Sequence, residues 1–282
     1  MNETTLTIMG TGEVVKPPEW YYEDEEDEGS RPASWFNYRE EIMSLKIDSG
    51  ISGIGEYAFT SLFELTSVTL PETLLTIGRG AFYGCESLKA ITVPNSVKEI
   101  SEFAFNGCVS MTDLKLGSSL ETIGNEAFAF CAKLEKVSIP KSVKSMSSLC
   151  FYNCDNLNEI NVDPANKFYC SKNGVIFTAD MTDLIFCRRN ISGKYTVPTG
   201  VKHIGTIAFR YCKQLTEIVI PETVTDIEGG AFMYCESLVS ASLPKSLTNI
   251  MSMTFYECRK LKNVEIPEGV TWIGDRAFGR CS

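Results

Sequence analysis

The phrase I-G-x-x-A-F returns along this chain at a fixed interval of 23 residues, and this period restricts the fold more than any other feature. Its first residue stands at Ile54, Ile77, Ile100, Ile123 and Met146, and then at Ile204, Ile227, Ile250 and Ile273. The gap of 58 residues between the two blocks is one period plus an insertion of 35 residues. A unit of such a repeat buries its apolar face only against its neighbours. The sequence therefore predicts a solenoid.

Each repeat carries the same residue types at the same offsets. Phenylalanine stands five positions after the first residue of the phrase and cysteine eight positions after it, with Leu62 in the cysteine position of the first repeat. A segment L-x-x-[VI]-x-[LIV] follows, whose alternation predicts a short strand, and in six repeats a proline ends it. The G-x-x-A-F-x-x-C portion is too short for an independent helix, so we expect a tight turn or a single helical turn. The predicted core ladder consists of Phe82, Phe105, Phe128, Phe209, Phe232 and Phe255, with Cys85, Cys108, Cys131, Cys212, Cys235 and Cys258.

The pattern IGxxAFxxCxxLxxVxIPxxVxxIG resembles the BspA-like leucine-rich repeats over roughly residues 42–282. The opening TLTIMGTGEVV and the segment WFNYREEIMSLKIDSGISGIG are similar to the entry segment that precedes such arrays. The stretch NKFYCSKNGVIFTADMTDLIFCRRNISGKYTVP resembles an irregular insert of that family. The resemblance implies a curved, right-handed leucine-rich-repeat solenoid that is mainly β with short helical turns. It also implies an N-terminal cap, one irregular hairpin-containing repeat, a surface location, roles in adhesion or ligand binding, and no catalytic residues.

We divide this single continuous solenoid domain into four segments. They are an N-terminal cap with an acidic loop (1–53), a first block of repeats (54–162), an irregular insertion with the return to the array (163–203), and a second block (204–282). The second block stops in mid-repeat, which leaves a strand edge open, so we expect the chain to be part of a longer protein. The aromatic residues expected to cover the open end of the first repeat are Trp20, Trp35, Phe36 and Tyr38.

Charge and hydropathy exclude some classes of partner. The net charge is −10, and the run from Glu23 to Glu28 supplies six of the negative charges. We interpret that run as a solvated loop, because like charges repel and extend a chain, and weak divalent-cation binding stays open. No basic stripe is present, which disfavours nucleic acid. With no apolar run near 20 residues and no visible signal peptide, membrane association is expected only through segments absent from this chain.

The cysteines are predicted to be packing residues. A period of 23 stacks their sulfurs in a line about 4.8 Å apart, and a line of thiols does not surround a metal ion. Neighbouring side chains in such a line point the same way, whereas a disulfide needs them turned toward each other. Cys170 and Cys187 lie in the insertion, and their pairing across a hairpin is left open.

The chain offers little for catalysis, and we predict no enzyme, no metal site and no cofactor. His203 is the only histidine and occupies a position filled by Thr76, Glu99, Thr122 and Asn249 in other repeats. We interpret it as a surface variant, since a nucleophilic triad would depend on this one residue. A carbohydrate-active enzyme is the least favoured alternative, because paired carboxylates need an enclosed cleft.

Two surfaces are candidates for ligand binding. The strand face carries small polar residues and the charged residues Asp113, Lys115, Lys136, Glu159 and Glu217. The turn side carries aromatic residues one or two positions after the core phenylalanine: Tyr83, Phe130, Tyr152, Tyr211, Tyr234 and Tyr256. These rings either shield the phenylalanines or form a ridge open to a protein or glycan. The insertion is a third candidate, either as a binding feature or as a structural hairpin.

The sequence thus favours a non-enzymatic extracellular module that binds a protein or glycan, at the cell surface or secreted. The alternative is a structural spacer that displays neighbouring domains of a longer surface protein.

Overall fold

The computed structural model describes residues 4–14, 35 and 38–281. These residues form β-strands joined by turns, and no α-helix occurs among them. The chain separates into two compact units: unit 1 comprises residues 1–136 and 142–155, and unit 2 comprises residues 137–141 and 156–282. Trp20, Phe36 and the acidic run from Glu23 to Glu28 lie outside the described residues.

Unit 1 contains two parallel sheets. The first consists of β1 (Thr4–Ile8), β3 (Ile42–Ile47), β5 (Ser67–Thr69), β7 (Ala90–Thr92) and β9 (Asp113–Lys115). The second consists of β2 (Gly12–Val14), β4 (Ile51–Ile54), β6 (Thr76–Ile77), β8 (Glu99–Ile100), β10 (Thr122–Ile123) and β12 (Ser145–Met146).

Unit 2 repeats this arrangement with one irregular section. Two strands, β11 (Lys136–Ile139) and β13 (Glu159–Val162), form a pair, and Lys136 is the one residue of the pair that falls in unit 1. A separate sheet follows, made of β17 (Ser192–Thr196), β19 (Gln214–Val219), β21 (Ser240–Ser242) and β23 (Asn263–Val264). The other strands are β14 (Tyr169–Lys172), β15 (Val175–Thr178), β16 (Asp183–Cys187), β18 (His203–Ile204) and β20 (Asp226–Ile227) in one sheet, and β22 (Asn249–Ile250) with β24 (Trp272–Ile273) in another.

A regular rung of the solenoid therefore has two strands rather than the one that the sequence predicts. The predicted strand, here β7, ends two residues before Pro94, and the carbonyl of Pro94 accepts a turn hydrogen bond from the amide of Val97 at 3.2 Å. A second strand of two residues follows, here β8, and its isoleucine is buried. The solenoid itself, with its mainly β content, is confirmed.

The segment after the second strand is a turn, so the single helical turn considered from the sequence is absent. In the rung that starts at Ile227, Gly230 and Tyr234 have φ angles of 64° and 61°, which break helical geometry. Amides of this segment donate to the next rung, as from Phe82 to the carbonyl of Ala104 at 2.7 Å. The turns thus form a third row of hydrogen bonds between rungs, and we call this part of the surface the turn side.

The core of each unit is a stack of phenylalanine rings. In unit 1, Phe82, Phe105 and Phe128 stack with centroids 5.1 and 5.4 Å apart. Trp35 packs on Phe59, which begins that stack, with centroids 6.0 Å apart, whereas the Tyr38 side chain is exposed. In unit 2 the half-buried Tyr195 takes the first place, 5.6 Å from Phe209. Each ring has the same offset in its repeat, so the 23-residue period places one above another.

The irregular repeat contains the predicted hairpin. Strand β14 pairs antiparallel with β15, and Lys172 lies opposite Val175, so Asn173 and Gly174 form a two-residue loop. Both loop residues have positive φ, at 55° and 75°, as the favoured hairpin turn requires. Strand β15 pairs antiparallel with β16, and β16 pairs parallel with β18 to return the chain to the array.

Candidate binding surface on the turn side

The charged strand-face candidates are spread over separate strands. Asp113 and Lys115 are exposed on β9, Lys136 on β11 and Glu159 on β13. Glu217, on β19, is half-buried and pairs with the adjacent Lys194 at 2.8 Å. The outward positions of β5, β7, β21 and β23 carry serine, threonine, alanine or asparagine, so these four strands offer no aromatic anchor.

The turn-side aromatics of unit 1 form separate contacts. Tyr83 is 43% exposed and meets the edge of Tyr57, with centroids 6.5 Å apart. Phe130 is 41% exposed and lies 5.5 Å from Tyr152 in a T-shaped arrangement.

The turn-side aromatics of unit 2 form a continuous row. Tyr211 and Tyr234 have the same offset in successive repeats, and their rings stack at 4.7 Å with an interplanar angle of 5°. Tyr256 stands one position earlier in its repeat, so it meets Tyr234 edge-on at 5.9 Å and 87°. We call these three residues the tyrosine row.

Cations line the tyrosine row. The guanidinium carbon of Arg210 lies 4.7 Å from the ring centre of Tyr211 and 5.6 Å from that of Tyr234. Lys213 Nζ lies 5.5 Å from the Tyr211 ring, and the guanidinium of Arg280 lies 5.8 Å from the Tyr256 ring. Such contacts attract the cation to the ring and hold it in place.

A buried carboxylate organises the cations at one end of the row. The Glu257 side chain is only 3% exposed and accepts hydrogen bonds from Arg259 Nε at 2.7 Å and Arg280 Nη1 at 2.6 Å. These bonds, led by that from Arg259, lower the pKa of Glu257 below its usual range. One carboxylate thus orients two guanidinium groups, and their side chains remain 59% and 70% exposed.

The backbone beneath the row is strained. Tyr211, Tyr234, Glu257 and Arg280 all have φ near +60°, a region that side chains other than glycine rarely adopt. In unit 1 two of the equivalent positions are glycine, Gly84 and Gly107.

The regular cysteines point into the core and make a contact that the sequence did not reveal. Cys108 Sγ donates to the carbonyl of Phe82 at 3.5 Å, and that oxygen also accepts the amide of Cys85. The same thiol bond recurs between Cys235 and Phe209 at 3.1 Å. Burial raises the pKa of the Cys85 thiol to about 12, so it stays protonated and able to donate.

The two cysteines of the insertion do not meet. Cys170 lies opposite Phe177 on one side of β15, while Cys187 lies opposite Val175 on the other side, and both thiols are free. Cys187 instead approaches Cys212, since both sulfurs lie within 3.6 Å of the Arg188 carbonyl oxygen. Over the described ranges, no group of three or more His, Cys, Asp or Glu side chains is arranged to hold a metal ion.

His203 lies exposed on β18. Its Nδ1 is 3.0 Å from Asp226, the residue opposite it on β20. The contact joins two rungs on an open strand surface.

Stacked two-stranded rungs with a buried ring and thiol at fixed offsets define the class of leucine-rich-repeat solenoids. The chain belongs to the BspA type leucine-rich-repeat family, whose model matches six copies over residues 32–172 and 181–282. No curated protein sequence matches it.

Three solved structures share the fold over nearly the whole chain. The pneumococcal vaccine antigen PcpA is 27% identical with a TM-score of 0.82, over 98% of this chain and 69% of that one. A leucine-rich cell surface protein from Faecalibacterium prausnitzii is 25% identical with a TM-score of 0.75, over 99% and 82%. A leucine-rich-repeat protein from Eubacterium ventriosum is 25% identical with a TM-score of 0.63, over 98% and 90%. In the part of this chain that the structure describes, no helix is long and apolar enough to cross a membrane.

Proposed function

We propose that this chain is a non-enzymatic binding module of a bacterial cell surface, and that it recognises its partner through the turn side of unit 2. The single observation that carries the proposal is the tyrosine row with its ordered cations. Tyrosine and arginine dominate the binding energy of many protein interfaces. The surface location is supported by the family and by the name of the Faecalibacterium relative.

Backbone strain supports a functional role for the row. Holding a side chain other than glycine in the left-handed region costs about 1 kcal/mol or more. Unit 1 avoids this cost at two of its five equivalent positions, Gly84 and Gly107, and bears it at Ser61, Phe130 and Asn153, whereas all four equivalent positions of unit 2 bear it, Tyr211 and Tyr234 among them. Strain of this kind persists mainly where a side chain has a task other than stability.

The alternative is a structural spacer. The strand face favours it, because the outward residues there are small and polar or carry scattered charges, without the aromatic anchors of a tight interface. A spacer needs regular stacking and no particular surface, and both units have the regular stacking.

The test is attachment of protein-coated beads to host cells, matrix proteins and glycan arrays. Tyr211→Asn combined with Tyr234→Asn removes two rings and keeps a residue that tolerates positive φ. We expect this double variant to lose attachment by about tenfold or more, as for removal of interface anchors. Phe130→Asn is the matched control in unit 1, since Phe130 has the same offset with φ 59°, and its ring is exposed whereas those of Tyr211 and Tyr234 are half-buried.

Equal attachment by the wild type and the double variant would reject the turn side of unit 2 as the binding surface. Attachment by neither, with no ligand found for the wild type, would leave the spacer as the better explanation.

A further inference from the structure

We infer that the ligand of the tyrosine row is an acidic polypeptide segment, whose carboxylates are bound by the cations beside the rings. This inference rests on the proposed function and names the chemistry of the partner.

Neighbouring side chains restrict which parts of the tyrosine rings a ligand can reach. The faces of Tyr211 and Tyr234 are turned toward each other, and Arg210 and Lys213 lie over the Tyr211 ring. Binding of a neutral sugar by stacking needs an open aromatic face. Arg210 is itself buried, and Lys213 also pairs with Glu236 at 3.5 Å, so the donors that a ligand can reach are the exposed side chains of Lys213 and Arg280. Ammonium and guanidinium donors favour negatively charged oxygen atoms.

The turn side of unit 2 has more cationic than acidic residues. The turn segments of unit 2 (205–214, 228–237, 251–260 and 274–281) contain six cationic and four acidic residues. The equivalent segments of unit 1 (55–64, 78–87, 101–110, 124–133 and 147–155) contain two cationic and six acidic residues. The whole chain has a net charge of −10, so the excess of cations on the turn side of unit 2 is local. Such a patch attracts acidic partners and repels basic ones.

Two of the cations are held in place by a single buried carboxylate. Arg259 and Arg280 share one carboxylate, Glu257, so this cluster keeps a net positive charge. Guanidinium groups bind carboxylates through paired, directional hydrogen bonds. Tyrosine and arginine together are also typical of protein interfaces, which favours a polypeptide over a polyanionic glycan.

The test measures fluorescence anisotropy with three labelled probes. They are an Asp/Glu-rich peptide of about 15 residues, the same peptide with Asn and Gln in place of Asp and Glu, and a sulfated heparin oligosaccharide. We expect binding of the acidic peptide only, with affinity that falls as salt rises from about 50 to 300 mM because charge attraction is screened.

The variant pair uses exposed residues, so that folding is retained. Lys213→Gln with Arg280→Gln is expected to weaken acidic-peptide binding by about tenfold or more. Arg79→Gln with Lys133→Gln removes the two turn-side cations of unit 1 and is expected to leave the affinity unchanged. Circular dichroism of both variants checks that the fold is intact.

Equal binding of the acidic and amide peptides, or equal loss in both variant pairs, would overturn the inference. Binding of the heparin oligosaccharide alone would replace the polypeptide with an anionic glycan. If the Tyr211→Asn and Tyr234→Asn variant loses attachment to host material but no acidic peptide binds, the proposed function stands and this inference fails. If that attachment is also unchanged, both fail.

Discussion

The two units have the same interior and different turn sides. Phe82 and Phe105 stack at 5.1 Å in unit 1, and Phe209 and Phe232 stack at the same distance in unit 2. On the surface, unit 1 is acidic with separate aromatic contacts, while unit 2 is cationic with a continuous tyrosine row. The repeat therefore fixes the interior and leaves the turn side free to vary. Substitutions in the interior should therefore change stability to a similar extent in both units. Substitutions on the turn side should have different effects in the two units.

The largest expected effect is in the core and should be equal in the two units. Phe105→Ala in unit 1 and Phe232→Ala in unit 2 each remove a fully buried ring from the middle of a stack. We expect each to lower the free energy of unfolding by about 3–5 kcal/mol, through lost burial and the cavity left behind. Urea denaturation followed by circular dichroism measures both. A difference of more than about 2 kcal/mol between them would break the equivalence of the interiors.

A smaller effect is expected where unit 1 uses glycine on its turn side. Gly84 has φ 70°, and a Cβ there would meet no atom closer than 3.7 Å, so Gly84→Ala introduces backbone strain without a clash. We expect a loss of about 1 kcal/mol of unfolding free energy. Gly269→Ala is the control, since Gly269 does not have a left-handed φ and its nearest atom is 3.5 Å away. A neutral Gly84→Ala would show that the strain under the tyrosine row has no measurable cost.

The smallest effect on stability at neutral pH is expected from removing an ion pair. The loss of stability should differ between a pair in unit 1 and a pair in unit 2. The pKa values of Glu257 and Glu121 are both lowered, for Glu121 chiefly by a hydrogen bond from Lys144. A lowered folded-state pKa means that the stabilisation is present above about pH 4.5 and is lost as pH falls through the folded value. We expect Glu257→Gln to lower the urea midpoint at pH 7 more than Glu121→Gln, because the Glu257 side chain is enclosed and has two partners.

The same pair of variants checks the sign of the pH dependence. Below the folded pKa the wild type and Glu257→Gln should converge in stability, since both side chains are then neutral. A gap that persists undiminished at low pH would mean that the effect comes from packing rather than charge.

Much of the fold was predictable because one period sets the contacts. Residues 23 apart lie on neighbouring rungs, which explains the stacked phenylalanines and the buried row of thiols. The same rule places Glu257 below Arg280 and Glu121 beside Lys144, each pair being 23 residues apart. The 23-residue spacing of opposite charges is therefore a sequence signal for these two ion pairs.

Other features had no such signal. The second strand of each rung has two residues, too few to show an alternation of apolar and polar positions. The turn segment contains Ala and Phe, and both residue types are compatible with a helical turn. The sequence signals a non-helical turn only in the repeats where a glycine occupies a position with positive φ. The cations of the tyrosine row were missed because Arg210, Lys213 and Arg280 have different offsets in their repeats.

The thiol of each rung has a practical consequence for measuring local opening. Nine of the eleven cysteines are buried, while Cys170 and Cys281 are partly exposed. An alkylating reagent reaches a buried thiol only after the rung around it has opened. Mass spectrometry of peptides labelled over time would give a rate for each rung, with Cys170 and Cys281 as fast references. The repeat thus carries its own set of site-specific probes, one for almost every step along the array.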